Sequence, residues 1–498
     1  MPRLVGGNRP DAVVVGTGPN GLAAATVLTA AGLSVRVYEA ADQIGGGCRT
    51  DELTLPGFRH DVCAAVHPLA LASSFFTRFG LEARGVQFLQ PEIPLAHPLG
   101  GRRAVVVQRS VEETAAALSR EDGQAYRRLV GPLAGRPGAL ASAVLSSHRG
   151  MPRATLTAVR FAGLGVRSAM ALARRFEGPA ARALLAGMGA HGNQPLDRPL
   201  TGGVALLLTS LAHGVGWPVV QGGSAGIVAA LGTFLAERGT EVVTGQPVTS
   251  LGELPAARAT LLDVGPHGFL AIAQDQLPAR YAAQLRAFRY GPGVCKVDWA
   301  LCGPVPWASA ACRRAGTLHV GGTLEEIAAC EFEVAHGRHP EWPFVLAVQP
   351  GVVDPTRAPV GTHTLWTYCH VPAGSDRDMS ARIAAQIERF APGFRELVLA
   401  RSVRTARRVQ AENANNVGGA IGGGVQDLRQ TLLRPTPRWN PYRTPLPGVY
   451  LCSSSTPPGP GVHGRCGELA AMSALHDRFG ILSADVDGDR RTRIMHRL

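Results

Sequence analysis

The strongest constraint on this chain lies close to its N-terminus. A short β-branched run, Ala12–Val15, breaks at Gly16-Thr-Gly18-Pro19-Asn20-Gly21. An Ala/Leu-rich helix follows and stops before Gly32, and a second strand, Ser34–Glu39, ends on an acid. This is a complete β-α-β unit in which each glycine has a separate task. Gly16 makes the tight turn, Gly18 lets the backbone approach a pyrophosphate, and Gly21 permits close helix–strand packing. The helix N-terminus, with Pro19 and Asn20 in its first turn, offers free N–H groups and the positive end of its dipole to that pyrophosphate. Glu39 stands 18 residues after Gly21, where a carboxylate accepts both ribose hydroxyls. The whole frame specifies a dinucleotide-binding domain rather than a glycine-rich turn.

At 498 residues the chain exceeds one ordinary core, and two or three structural domains are expected. Residues 110–195 read as mainly helical, with Ala, Leu and Arg at helical spacing over Val111–Leu129 and Leu156–Leu185. Residues 219–264 return to α/β character, with a helix over Ala225–Arg238 and strands at Glu241–Val243 and Thr260–Val264. Alternation predicts strands of a second sheet at Gly293–Leu301 and His363–His370. A helix over Met379–Phe390, a Gly/Asn-rich loop over Asn413–Gly424, a strand at Gly448–Cys452 and a helix over His463–Phe479 complete the pattern.

Past Glu39-Ala40 the chain reads Gly45-Gly46-Gly47-Cys48-Arg49-Thr50. Here it resembles the flavin-containing amine oxidase and phytoene desaturase superfamily, whose first motif continues into a Gly-Gly-x-x-x-Thr segment that NAD dehydrogenases lack. The terminal stretch Tyr450-Leu-Cys-Ser-Ser454-Ser-Thr456-Pro-Pro-Gly459-Pro-Gly461-Val462-His463-Gly464 is similar to the terminal flavin motif of phytoene desaturases. Between them, Gly216-Trp217-Pro218, Gly222-Gly223-Ser224, Gly245-Gln-Pro-Val248, His67-Pro68, Gly293-Val-Cys-Lys296 and Pro355-Thr-Arg357 resemble bacterial proteins related to the pyridine nucleotide-disulphide oxidoreductase domain 2 group. The resemblance implies FAD, bound non-covalently. By it, Gly46, Gly47, Arg49 and Thr50 lie along the cofactor, Ala40 follows the ribose-binding acid, Val248 meets the adenine, and Ser454, Gly461 and Val462 carry the isoalloxazine end. A surface Arg beside a glycine turn is the other reading of Arg49. The family loop that usually reads Gly-Gly-Asp is Gly418-Gly419-Ala420 here, so no carboxylate role carries over. Gly459–Gly464 also fits G-x-G-x-x-G, but no second dinucleotide site is expected from it.

Lys296 is the only lysine among 50 basic residues. It resembles the strand lysine of flavin amine oxidases, which holds a water at flavin N5. On its strand, Cys295, Val297, Trp299 and Leu301 share one face, and Lys296 and Asp298 the other. A Lys296–Asp298 surface pair is the competing reading. Trp366, Tyr368 and His370 fall on one strand face, as the floor of a substrate pocket or as ordinary helix–sheet core. His67 and His463 are candidates to move a proton, against purely structural roles. No Ser/His/Asp or Cys/His arrangement is recognisable, and no carboxylate dyad or zinc spacing, so no metal is expected.

The formal net charge of +13 rests almost wholly on scattered Arg, with short groups at Arg401–Arg408 and Arg490–Arg497. No nucleic-acid module accompanies it, whereas contact with an anionic membrane surface stays open. Nine cysteines without a C-x-x-C pair fit reduced thiols in a cytoplasmic setting, with the inner face of the membrane as a peripheral site. Met1–Pro10 lacks an apolar signal core, and no run long enough to span a bilayer follows. The expected fold is α/β: a Rossmann-like FAD-binding domain of amine oxidase type interleaved with an α+β substrate domain. Because both terminal motifs must meet on one FAD, the first domain is expected to combine 1–95, 219–270 and 440–498, and the second 96–218 and 271–439. The expected activity is a phytoene desaturase-like, FAD-dependent dehydrogenation, desaturation or isomerisation of a small lipophilic substrate. A flavin amine oxidase and a flavin-binding scaffold with little turnover are the alternatives.

Overall fold

The computed structural model describes residues 9–146 and 155–481. The outer ends of the expected first domain, at 1–8 and 482–498, and the Arg490–Arg497 group lie outside the described residues. The strands of the two main sheets are β1 (Ala12–Val15), β2 (Val35–Tyr38), β3 (Ile93–Gly100), β4 (Arg103–Val107), β5 (Glu241–Val243), β6 (Ala259–Leu262), β7 (Gly293–Leu301), β8 (Ala315–Val320), β9 (Val345–Val348), β10 (His363–Val371), β11 (Val398–Arg404) and β12 (Val449–Leu451). The helices that matter most to the site are α1 (Pro19–Ala30), α2 (Leu156–Gly165), α3 (Thr201–Gly214) and α4 (Arg465–Phe479).

The first sheet is five-stranded and parallel, in the order β12-β6-β1-β2-β5. Its inner strands are short, apolar runs rather than alternating ones because both faces are covered. Val14, Val37 and Leu261 pack under α1, α4 and the helix Ala225–Ala236. Val13, Val15 and Leu262 pack under the helices Pro266–Ala273 and Ala279–Arg286. Residues 271–286 therefore go with this sheet and not with the second domain expected for them, since Leu277, Tyr281 and Leu285 continue its apolar layer. Helices α1 and α4 touch backbone to backbone: a Cβ on Gly467 would stand 1.8 Å from the Asn20 carbonyl oxygen.

The second sheet has seven strands in the order β11-β7-β10-β9-β8-β3-β4. All its neighbours are antiparallel except β3 and β8. β3 straddles the expected boundary at 95/96 and lies wholly in this sheet. Every residue of β7 is buried. Cys295, Val297, Trp299 and Leu301 face a core with Ile383, Ile387 and Phe394, and Trp366 and Tyr368 face the helical layer on the other side. That layer is more broken than the sequence pattern implied. Leu156–Leu185 becomes α2, Ala169–Ala173 and Pro179–Ala190, because the Ser168 hydroxyl caps a new helix through Ala171 N–H and Pro179 starts the next. Ser119 interrupts Val111–Leu129 in the same way, through Asp122 N–H.

Candidate active site

The first centre lies at the C-terminal ends of β1, β2 and β6. Gly16 turns the chain with φ +97°, and its N–H donates to the Tyr38 carbonyl at 2.7 Å. A Cβ at Gly21 would stand 2.0 Å from the Gly16 oxygen, so no larger residue fits there. α1 starts at Pro19, with Gly18 as N-cap and no acidic side chain in its first turn. Its end carries an orphan: Asn20 is buried, and its Oδ1 has no hydrogen-bond partner. The Glu39 carboxylate follows β2, accepting Thr17 N–H at 2.8 Å, Thr17 Oγ1 at 2.5 Å and Ala41 N–H at 3.0 Å. Ala40 is exposed beside it. Gly245 and Gln246 donate their N–H groups to Ala41 and Glu39, which brings Val248 alongside that segment. The three-residue helix Gly46–Cys48 lies over the first loop, with a Cβ on Gly46 only 3.1 Å from Gly18 Cα. The tight α1–α4 crossing carries the 461–464 turn to the same region, where Gly461 is exposed at φ +124° and Val462 is half-buried. A loop with no room for side chains at Gly18 and Gly21, a helix N-terminus without an acidic residue in its first turn and a carboxylate at the second strand end together fit the diphosphate and ribose of a dinucleotide such as FAD.

One residue in this centre escaped the sequence reading. Asp263 follows β6, its Oδ2 accepts Gly21 N–H at 2.9 Å, and a Cβ on Gly18 would come within 2.7 Å of that oxygen. Burial pushes its carboxyl up to about 7, with the Glu39 charge adding to the shift and the Gly21 N–H opposing it. The signal was an acid at the end of a parallel strand, and nothing local marked β6 as the neighbour of β1.

The second centre lies on the helical-layer face of β7 and β10. One cavity is lined by Gly46, Gly47 and Arg49 from the first domain and by Cys63, Lys296, Trp366, Tyr368 and Arg404, among others. Lys296 is registered opposite Tyr368, and Asp298 opposite Trp366. The Trp366 and Tyr368 rings meet edge to face, with centroids 5.2 Å apart, and Lys296 Nζ lies 5.2 Å from the Trp366 centroid. The Lys296–Asp298 pair exists, but it is buried and so corrects the surface-pair reading: Lys296 is 4% exposed and Asp298 fully enclosed. Lys296 Nζ donates to both Asp298 oxygens at 2.5 Å, and Arg404 Nη2 to Oδ2 at 3.0 Å. Burial lowers Lys296 to about 7, with Asp298 opposing and Arg404 adding to the fall.

The same network fixes the loop beneath Gly47. Arg404 Nη2 also donates to the Val62 carbonyl, while Val62 and Ala64 N–H donate to Arg49 and Gly47. His60, 3.6 Å from Asp298, is held neutral, pushed down to about 4 by burial. Thr50 Oγ1 donates to Asp61 Oδ1, and Arg357, wholly buried, joins Asp61 Oδ2, Asp354 and the Val220 carbonyl. Buried charges are tolerable when paired and hydrogen-bonded in this way.

The two histidine candidates lie apart from the cavity lining. His67 Nε2 meets Ser224 Oγ at 2.8 Å, whose proton goes to the Ala64 carbonyl. His463 Nδ1 accepts Arg465 N–H at 3.0 Å and its Nε2 donates to Gly459 at 3.1 Å, so both nitrogens are used within the turn before α4. Burial lowers each to about 4. Ser454 is half-buried, with Gly423 packed against its side chain. No cluster of three or more His, Cys, Asp or Glu suited to a metal occurs among the described residues.

Residues 14–79 match the family model of the NAD(P)-binding Rossmann-like domain. The pyridine nucleotide-disulfide oxidoreductase domain-containing protein 2 of Rattus norvegicus is 26% identical over 556 aligned positions, covering 94% of this chain and 93% of its own. Among solved structures, an oxidoreductase from Methanosarcina mazei superposes with a TM-score of 0.64 at 16% identity, over 94% of this chain and 100% of its own. A double mutant of putrescine oxidase gives 0.61 at 18%, over 94% and 98%. The two-domain fold is thus shared with putrescine oxidase. The chain is similar end to end to the rat protein and shares its fold with the Methanosarcina mazei oxidoreductase and putrescine oxidase.

Proposed function

We propose that the protein is an FAD-dependent oxidoreductase that dehydrogenates, desaturates or isomerises a neutral, lipophilic organic substrate. The observation that carries this reading is the single cavity in which Gly46, Gly47 and Arg49 meet Lys296, Trp366 and Tyr368. The N–H groups of Gly18 and Asn20 would hold the diphosphate, Glu39 the ribose, Val248 the adenine side, and Gly461 and Val462 the far end of the cofactor. FAD, when bound, supplies a two-electron acceptor for hydride. The chain's part is to position and to exclude water: Trp366 and Tyr368 form a rigid aromatic wall, and Val62, Val294, Val409 and Ile421 make the remainder of the lining largely apolar. Lys296 keeps a proton donor inside that wall.

Charge supports a neutral substrate over an ammonium ion. The lining holds Lys296, Arg404 and Arg49, and its one carboxylate, Glu412, is paired with Arg404 and Arg408. Asp298 is spent on Lys296 and Arg404. An amine oxidase remains the second reading, favoured by the aromatic pair beside the cavity and by the putrescine oxidase fold. The visible spectrum of the purified protein tests both. Flavin absorbance should appear, acid precipitation should leave the dye in solution, and anaerobic bleaching should follow neutral lipophilic C–H donors. Bleaching by primary amines alone would transfer the assignment to the amine oxidase, and a protein that takes up no FAD would defeat both.

A further inference from the structure

We propose that α2 and the turn after it form a docking face for an anionic lipid bilayer. The inner side of α2 is fixed in the fold. Gly165 meets α3 backbone to backbone, since a Cβ on Gly203 would lie 2.8 Å from the Gly165 oxygen. Phe161 and Leu164 pack on the helical core that also holds Trp366 and Tyr368. The outer side is nevertheless apolar. Leu156, Val159 and Val166 are 78%, 58% and 45% exposed, and with Gly163 they fall at i, i+3, i+7 and i+10, one stripe of a helix. A surface helix normally turns charge towards water, so a fixed helix with an apolar outer stripe presents that stripe to another apolar phase.

The charges around the stripe say which phase. Arg160 and Arg167 lie one position further round, both exposed, and Arg174 and Arg175 follow, also exposed. None of the four has a carboxylate within ion-pair distance among the described residues, although arginines elsewhere in the fold, such as Arg127 and Arg182, are paired. The reason is in the sequence: no Asp or Glu occurs between Asp122 and Glu177. Apolar side chains that enter the acyl boundary, flanked by arginines without counter-ions, match an anionic headgroup layer. A second copy of this chain on the same face would bring like charges together. The proposal is independent of the flavin assignment, because vesicle binding is read without turnover.

The test uses the full chain in flotation with pure phosphatidylcholine vesicles and with phosphatidylcholine–phosphatidylglycerol vesicles. Binding is expected to the mixed vesicles alone and to fall in high salt. Val159→Asp with Val166→Asp, and separately Arg160→Glu with Arg167→Glu, should each weaken it by about tenfold or more. All four positions are exposed, and the one bond lost is that from Arg160 Nη2 to the Arg128 carbonyl at the surface, so circular dichroism should match the parent and the melting temperature should stay close to it. No binding by the parent chain would overturn the proposal. So would binding that both variants retain, which would assign it to another segment such as Arg490–Arg497. A variant that converts a dimer to a monomer by light scattering would make the face a self-interface and overturn it equally.

Discussion

Asp298 ties the second centre together. It accepts from Lys296 and Arg404, and Arg404 in turn holds the Val62 carbonyl under the Gly46–Arg49 segment. Lys296 stood out in the sequence as the only lysine, and its face of β7 followed from alternation. Its burial did not, because β10, β11 and the helical layer that enclose it are distant in sequence. Lys296→Met retains the stem and removes the charge, leaving Asp298 to Arg404. FAD content should be unchanged, and anaerobic stopped-flow bleaching by substrate should slow about a hundredfold, roughly 2.7 kcal/mol of barrier. Unchanged bleaching would confine Lys296 to a structural ion pair. Asp263 gives a prediction with a pH sign. Its folded value, about 7, is raised above the ordinary 3.8, so the fold holds a proton that the unfolded chain has released between these values. The associated stability is present at low pH and is lost as pH rises towards 7. Asp263→Asn should remove that loss and stabilise the protein by about 2 kcal/mol near pH 8 in urea unfolding. It should also tighten FAD there, by removing a negative charge beside the diphosphate loop. A variant that follows the parental pH profile would show that Asp263 does not titrate in this range.

At the level of elements, the α1–α4 crossing joins the two cofactor motifs from opposite ends of the sequence. Each helix was legible separately, α1 from its glycine fingerprint and α4 from the terminal motif. Their contact was expected only because both motifs need one ligand, and the close approach at Gly467 had no sequence marker. Gly467→Ala places a methyl against the Asn20 carbonyl and should destabilise by about 3 kcal/mol, with loss of FAD. Gly163, on the exposed side of α2, has open space around its would-be Cβ. Gly163→Ala should therefore stabilise by about 0.5–1 kcal/mol. Equal melting temperatures for the two variants would contradict this crossing. The helical layer was read less well, since periodicity runs on through Ser119 and Ser168 while capping resets the axis.

Across the whole molecule, burial keeps many histidines neutral. His60, His67, His97, His213 and His463 are pushed down to about 4 and His191 to about 3. In the unfolded chain each takes a proton near 6.5, so stability is present above that value and is lost as pH falls towards 4. Melting temperature should drop steeply over this window, together costing roughly several kcal/mol. A flat profile from pH 7 to 5 would show that these rings are open to water. The fold class and the local geometry of the first centre were determined by the sequence itself, because a Gly-x-Gly-x-x-Gly turn between a buried strand and a helix is a local device, written within one β-α-β unit. The faces of β7 and β10 were likewise determined locally, by a period of two. Tertiary structure decided what those faces meet: Arg404 and His60 around Asp298, Arg357 between Asp61 and Asp354, and Asp263 beneath Gly18 and Gly21. Each joins segments far apart in the chain, and low-dielectric burial rather than residue type gives these groups their shifted proton affinities and fixed geometry.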